Sequence, residues 1–231
     1  MIVTINPKTN QILLTSIPRD YYVQLHGTTG YKDKLTHSGV YGINSTVQTL
    51  EDLFGIDINY YVKVNFTTLI NLVDAIGGIT IHSDYHIKTL HYKCDIKTGN
   101  NDVNGECALG FARERYSYID GDNQRVRNQQ EVLQAIFKKV STSFSTITQY
   151  TDILEVLDGE FATNLDIKDA TDFIKFEMED LDDYKFINQQ VEGDGDMTYT
   201  YTYPYQRLWV MVPDMDTVNS AIGKIKEVSN K

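Results

Sequence analysis

The stretch SGVYGINSTVQTLEDLFGIDINYYVKVNFTTLINLVDAIGGITIH, residues 38–82, switches between two hydrophobic periods, and the switching decides the fold class. Val40, Tyr41, Val47, Leu50 and Phe54 recur at helical spacing, interrupted by Gly42 and closed by Gly55, so residues 38–54 read as a helix. Residues 59–65 (NYYVKVN) alternate with the period of a strand. Residues 67–76 read as a short helix ended by Gly77-Gly78, because glycine readily takes the left-handed conformation that stops a helix. Residues 79–82 are strand-like again. Strands and helices in turn predict an α/β layered fold.

Toward the N-terminus, MIVTIN (1–6) and QILLTSI (11–17) are β-rich apolar runs joined by Pro7-Lys8-Thr9-Asn10, a hairpin signature. The chain begins inside a strand and is expected to be a fragment of something longer. Arg19 and Asp20 follow Pro18 at the end of the second run, where loops carry function. Residues 84–107 are polar and irregular, a hairpin or loop insertion. Residues 148–157 and 166–181 read as helices around a small connection at 159–163. Residues 186–191 and 199–205 read as strands separated by Glu192-Gly193-Asp194-Gly195-Asp196, taken as a surface turn because it lacks the spaced ligands of an EF-hand. Residues 208–212 are apolar and 214–228 form a final helix. Without repeats, linkers or low-complexity tracts, residues 1–231 read as one domain.

The 231 residues are 41% hydrophobic, enough to fill a core, and carry a net charge of −11. That charge, with no basic stripe, excludes general nucleic-acid binding. No apolar run reaches the roughly 18–20 residues of a membrane span, and no signal peptide is present, so the chain as given reads as soluble. Sixteen tyrosines against one tryptophan suit broad amphipathic surfaces of the kind that contact polymers or glycans. Cys94 and Cys107 flank KTGNNDVNGE; on spacing alone they are equally free buried thiols or one disulfide. His82, His86 and His91 read as a surface cluster rather than a metal site, and no metal ligand is assigned.

Within this acidic chain, GFARERYSYIDGDNQRVRNQQEVLQAIFKKV (110–140) concentrates cations: Arg113, Arg115 and, ten residues later, Arg125. Arginine presents a planar fork of donors matched to phosphate or carboxylate. If residues 113–116 are extended, Arg113 and Arg115 point to one face. The turn from Asp120 places Asp122 or Asn123 as N-cap of a helix whose buried stripe is Val126, Gln130, Leu133, Phe137 and Val140. Arg125 and Gln129 stand one turn apart at the helix start, where backbone amides also favour an anion. The pattern fits a phosphate-sized site; it fits equally three surface arginines paired with Glu114, Asp120 and Asp122.

Five segments in order resemble the LytR–CpsA–Psr family of Gram-positive cell-wall enzymes. They are TSIPRD (15–20), DKLTHSGVYG (33–42), YYVKVNFTTLINLVDAIGGI (60–79), GFARERYSYIDGDNQRVRNQQ (110–130) and WVMVPD (209–214). The resemblance implies a single three-layer α/β/α domain: a central mixed β-sheet flanked by helices, with a lipid groove between sheet and helices. Val132 and Ile136 are expected to line that groove. It implies an extracellular catalytic domain tethered by an N-terminal membrane helix, here absent together with the first part of the domain. The implied reaction moves a phosphate-linked glycopolymer, teichoic acid or capsule, from an undecaprenyl-pyrophosphate carrier to peptidoglycan, assisted by magnesium. The pyrophosphate-holding residues of the family match Arg19, Arg113, Arg115, Arg125 and Gln129. The magnesium-binding aspartates of the family lie upstream of the strand that starts at Met1, so the metal ligands are expected outside this chain. An extracellular setting favours a Cys94–Cys107 disulfide. Asp20 and Asp122 are candidates for the acceptor base; their alternative roles are an arginine partner and an N-cap. Three readings stay open: transferase to the wall, prenyl-pyrophosphate hydrolase, and non-catalytic polyprenyl-phosphate or polymer-binding module.

Overall fold

The computed structural model describes residues 1–119, 121–143, 162–166 and 184–229. The chain forms two compact units, Met1–Asn59 with Lys185–Lys231, and Tyr60–Tyr184. The first unit is interrupted in sequence by the second. The class is α/β with a mixed β-sheet and flanking helices, as the 38–82 alternation predicts.

The first unit opens with β1 (Ile2–Asn6) and β2 (Gln11–Ser16), an antiparallel hairpin. Its turn is built from side chains: Asn6 accepts from the Lys8 N–H at 3.0 Å, Pro7 starts a 3-10 turn, and Asn10 closes it at φ 49°. Two-residue strands β3 (Tyr22–Val23) and β4 (Asp33–Lys34) pair with each other. The expected 38–54 helix divides in two. Leu35–Tyr41 is 3-10, Gly42 breaks the run at φ 101°, and α1 (Ile43–Phe54) follows, closed by Gly55 in the left-handed conformation. Val40 and Tyr41, expected in the buried stripe, are consequently exposed.

The second unit runs through β5 (Val62–Lys63), α2 (Phe66–Ala75), β6 (Ile79–Ser83), β7 (Ile87–Lys88), β8 (Asp95–Ile96) and β9 (Gly99–Val103). It continues with α3 (Gly105–Arg113), α4 (Gly121–Ser143) and β10 (Ala162–Thr163). The strand expected over 59–65 shrinks to β5, whose partner is β10; the expected 159–163 connection therefore ends in a strand. The helices expected over 148–157 and 166–181 lie outside the described residues. Asn65 and Asn104 cap α2 and α3 through their side chains. At Gly105 the backbones of α2 and α3 meet: a Cβ there would stand 2.3 Å from the Ile70 carbonyl oxygen. β6 pairs antiparallel with β9, and α4 packs on β6. Val73, Ile79, Ile81, Phe111, Val132 and Ala135 belong to this unit's core.

The chain returns to the first unit in β11 (Lys185–Gln190), β12 (Gly193–Tyr199), β13 (Arg207–Pro213) and α5 (Met215–Ser229). β11 adds parallel to β2, so β2 lies centrally in the sheet β1-β2-β11 and buries Leu13 and Leu14 on opposite faces. The acidic run Glu192–Asp196 is not a turn: from Gly193 onward it is β12, paired with β13, and the connection falls at residues 200–206. Cross-strand pairing with the apolar 208–212 run overrides a composition that in isolation reads as loop. On α5, Val218, Ala221, Ile225 and Val228 pack against the sheet at helical spacing.

Candidate functional site

In the first unit the segment after β2 is held mainly through its backbone. The Arg19 carbonyl accepts from Thr36 N at 2.8 Å, and the Asp20 carbonyl accepts from Met211 N at 2.8 Å. The Arg19 side chain is 70% exposed, with its Nε 3.8 Å from Asp20 Oδ2. The other carboxylate oxygen of Asp20 accepts from Lys34 Nζ at 2.9 Å. Asp20 therefore sits between two cations, the geometry of a carboxylate that orients its neighbours. Lys34 was not singled out from sequence; its signal was the charged pair Asp33-Lys34 beside buried Leu35.

Beneath this pair Asp33 is fully buried. Its Oδ1 accepts from His37 Nδ1 (2.6 Å) and Lys34 N (2.7 Å), and its Oδ2 from Thr202 N (2.8 Å) and Thr202 Oγ1 (2.5 Å). Burial alone would raise its pKa, but the bonds from Thr202, His37 and Lys34 outweigh that and hold the carboxyl below its ordinary value.

In the second unit the arginine segment differs from its sequence reading. Residues 113–116 are not a strand: Arg113 is the last residue of α3, and Glu114 is the first extended one. The Arg113 guanidinium lies 4.3 Å from the centroid of the Phe66 ring. Arg115 is exposed, hydrogen-bonds to the Tyr116 hydroxyl and lies 4.5 Å over that ring. Glu114 between them does not pair with either guanidinium. Its carboxylate, 1% exposed, accepts from the backbone N–H groups of Arg115, Tyr116 and Ser117 at 2.9–3.1 Å, and from Leu90 N at 2.6 Å. Burial raises its pKa, and these four backbone bonds more than reverse the effect, so it stays ionised below the usual range.

Asp122 and Asn123 lie inside α4, which starts at Gly121, so neither is its N-cap; residue 120 lies outside the described residues. Asp122 instead pairs with Arg125, Oδ1 to Nη2 at 2.7 Å, and its charge also acts on Arg115. Of the arginines in this segment, Arg125 pairs with the Asp122 carboxylate directly, and Arg115 feels its charge only weakly. The Arg125 side chain is 22% exposed, and its Nε is buried with no hydrogen-bond partner. An unpaired buried donor on a cation is costly and is the kind of group a bound anion would satisfy.

The buried stripe of α4 is also shifted from the expected one. Gln130 is buried as expected, and Gln124, Asn128, Val132 and Ala135 are buried with it, whereas Val126, Leu133, Phe137 and Val140 are only partly so. The polar pair faces inward because it serves the end of α3. Asn128 Nδ2 donates to the Phe111 carbonyl (3.0 Å) and the Tyr118 hydroxyl (3.0 Å). Gln129 Nε2 donates to the Ala112 carbonyl at 3.4 Å. Helix C-termini leave carbonyls without intrahelical partners, and here α4 supplies them. Gln129 is therefore tied to the turn that carries Arg113. Val132 is 3% exposed within the unit's core, and Ile136 packs against that core.

Cys94 and Cys107 form a disulfide, Cα–Cα 5.6 Å. They do not face each other across one hairpin: the strands between them, β8 and β9, pair with β7 and β6. The bond ties the start of β8 to the first turn of α3, whose last residue is Arg113. His82 and His86 engage separate partners, Asn100 with Asp84, and Asp95. Among the described residues no three His, Cys, Asp or Glu side chains gather into a possible metal site.

The LytR_cpsA_psr family model covers residues 1–212, and the chain belongs to that family. Among curated relatives, the Bacillus cereus polyisoprenyl-teichoic acid–peptidoglycan teichoic acid transferase TagU is 37% identical over 166 residues, covering 71% of this chain and 53% of that protein. Biofilm regulatory protein A of Streptococcus mutans is 34% identical over 183 residues, 74% of this chain and 45% of that one. The chain spans about half the length of these relatives. The crystal structure of B. subtilis TagV matches with a TM-score of 0.81 at 26% identity, over 99% of this chain and 87% of that one. That of B. subtilis TagU matches with 0.75 at 29% identity, over 99% and 90%.

Proposed function

We propose that this chain is the greater part of the catalytic domain of a phosphotransferase that moves a phosphate-linked glycopolymer, such as teichoic acid or capsular polysaccharide, from a polyprenyl-pyrophosphate carrier to peptidoglycan. Membership of the family and the printed activity of the TagU relative support the reading. The observation that carries it to this chain is the buried, unpartnered Arg125 Nε, whose guanidinium is held by Asp122.

Phosphoryl transfer needs the pyrophosphate held, its charge offset and an acceptor hydroxyl aligned. Arg113, Arg115 and Arg125 of the second unit bind its non-bridging oxygens, while Gln129 keeps the Arg113 turn in place; Arg19, in the first unit, is proposed as a further phosphate ligand. The acceptor hydroxyl of peptidoglycan attacks the phosphorus on the glycan side. The bond to the bridging oxygen breaks, polyprenyl phosphate leaves, and the hydroxyl proton passes to Asp122. Asp20 orients Arg19 instead. Magnesium would offset phosphate charge. The prenyl chain is proposed to run along α4 beside Ile136; reaching Val132 would require it to part the core. The setting is the outer face of the cytoplasmic membrane.

The test is incubation of the protein, extended upstream to include the expected metal ligands, with polyprenyl-pyrophosphate-linked saccharide and peptidoglycan. Glycan joined to peptidoglycan, with polyprenyl phosphate released in equal amount, is the expected result. Cleavage without joining would make the protein a hydrolase, and saturable binding without turnover a carrier-binding module.

A further inference from the structure

The first unit carries an aromatic surface for which the phosphate chemistry has no use. β12 and β13 pair so that Met197 stands opposite Trp209 and Tyr199 opposite Arg207, which puts these residues on one face of the ribbon. Trp209 is exposed, and Gly195 leaves room for its indole: a Cβ at Gly195 would stand 2.9 Å from the indole Nε1. Beyond the ribbon the chain reads YTYTYPY (199–205). Tyr199 lies with its ring centroid 6.3 Å from Tyr31, Tyr201 6.1 Å from Tyr41, and Tyr203 5.4 Å from His37. Tyr31, Tyr41, Tyr199, Tyr201, Tyr203 and Trp209 are all exposed. Exposed aromatics gathered to this extent mark a binding surface rather than scattered surface residues.

Resting on the transferase reading, we propose that this surface is the acceptor subsite and that its occupant is the glycan strand of peptidoglycan, laid with its sugar rings against the aromatic faces. Two features select that occupant. The first is charge. Asp194 and Asp196 stand on the opposite face of the ribbon, the chain has a net charge of −11, and Arg207, the arginine of this face, spends its guanidinium on the Met197 carbonyl. A polyphosphate-repeat chain would find no available arginine of the ribbon here, whereas the uncharged faces of pyranose rings suit tyrosine and tryptophan. The second is continuity with the phosphate-handling segment. Tyr201 N donates to the Lys32 carbonyl, Thr202 holds Asp33, and β13 is tied to Asp20 through Met211. The surface therefore shares its supports with Arg19, Asp20 and Lys34, the segment of the same unit proposed to hold phosphate.

Trp209 is the chain's only tryptophan, so its emission reports on this surface directly. The probe is a glycan strand freed of its stem peptides by amidase and titrated against the protein, with a polyglycerol-phosphate chain of similar length as the second ligand. The expected result is a saturable change in emission with the glycan strand and none with the polyphosphate chain. Tyr199→Ala or Tyr201→Ala should weaken binding roughly five- to tenfold, while Tyr201→Phe, which keeps the ring, should leave it within twofold. Arg113→Ala should bind the strand normally while losing affinity for prenyl pyrophosphate, so a failure of the transferase reading is seen separately. No emission change with the glycan strand, a stronger response to the polyphosphate chain, or Tyr→Ala variants with unchanged affinity would overturn the proposal.

Discussion

The Arg19 segment and the 113–117 turn solve the same problem by different means. Each places an exposed arginine on a loop, and each has a buried carboxylate nearby: Glu114 bonds the loop that carries Arg115 directly, whereas Asp33 fixes the backbone of Lys34, whose ammonium in turn bonds Asp20 beside Arg19. Glu114 works locally: three of its four bonds go to N–H groups within the next three residues. Asp33 works at long range, since two of its bonds come from Thr202, 169 residues away in sequence. A local anchor shapes a turn, whereas a long-range anchor joins two distant parts of a unit. The contrast sets how each unit should respond when its anchor is removed.

The largest effect is expected at Asp33. Asp33→Ala leaves the Thr202 amide and hydroxyl without their acceptor and should cost on the order of 3–5 kcal/mol, the scale of breaking a buried charged network. Urea denaturation followed by Trp209 emission reads it; a loss under about 1 kcal/mol would break the comparison. Reduction of Cys94–Cys107 comes next. Their separation is 13 residues, and a loop of that size is worth about 3 kcal/mol by chain entropy. Because the bond lies in the second unit, reductant should lower the melting transition of Tyr60–Tyr184 and leave Trp209, in the first unit, little changed.

Binding sharpens the comparison further. Arg115→Ala or Arg125→Ala should lower affinity for a short prenyl pyrophosphate by about 1.5–3 kcal/mol, measured by calorimetry, with Arg→Lys restoring only part because the fork is lost. Glu114→Gln leaves both arginines in place but weakens the turn. It should cost about 1–2 kcal/mol of stability and blunt affinity less than either arginine change. Equal losses for Glu114→Gln and Arg115→Ala would mean that turn shape, not charge, dominates.

The smallest expected effect is in pH. Both carboxyls are held below their ordinary values, so folding favours their ionised forms. Their contribution is complete above the unfolded range of about 4 and is lost as pH falls through the lower folded values. Stability should therefore decline only in acid, and Asp33→Asn should flatten that decline. A protein equally stable at pH 3 and pH 6 would contradict it.

Local chemistry made part of this legible. The Pro7–Asn10 turn, the glycine stops at Gly55 and Gly77-Gly78, and α5 all follow from backbone preferences and hydrophobic period, which act over a few residues. Arg113, Arg115 and Arg125 were readable as candidates because a guanidinium cluster stands out in an acidic chain, and Arg19 because it follows Pro18 at a strand end. Their local geometry was not. Whether Arg113 ends a helix or starts a strand depends on α4 supplying Asn128 and Gln129 to the carbonyls of α3, a contact between elements.

The same distinction runs through the whole chain. By itself the sequence determined the α/β class, the hairpin at its start and the arginine inventory, since each rests on residue type and spacing. Only the tertiary structure decided that Glu192–Asp196 leads into a strand, that Gln124 and Asn128 face inward, that Cys94 bonds to Cys107, and that Asp33 is a buried anchor. Those outcomes depend on partners between 4 and 169 residues away, and where the partner lies on another element nothing in the local pattern encodes the pairing.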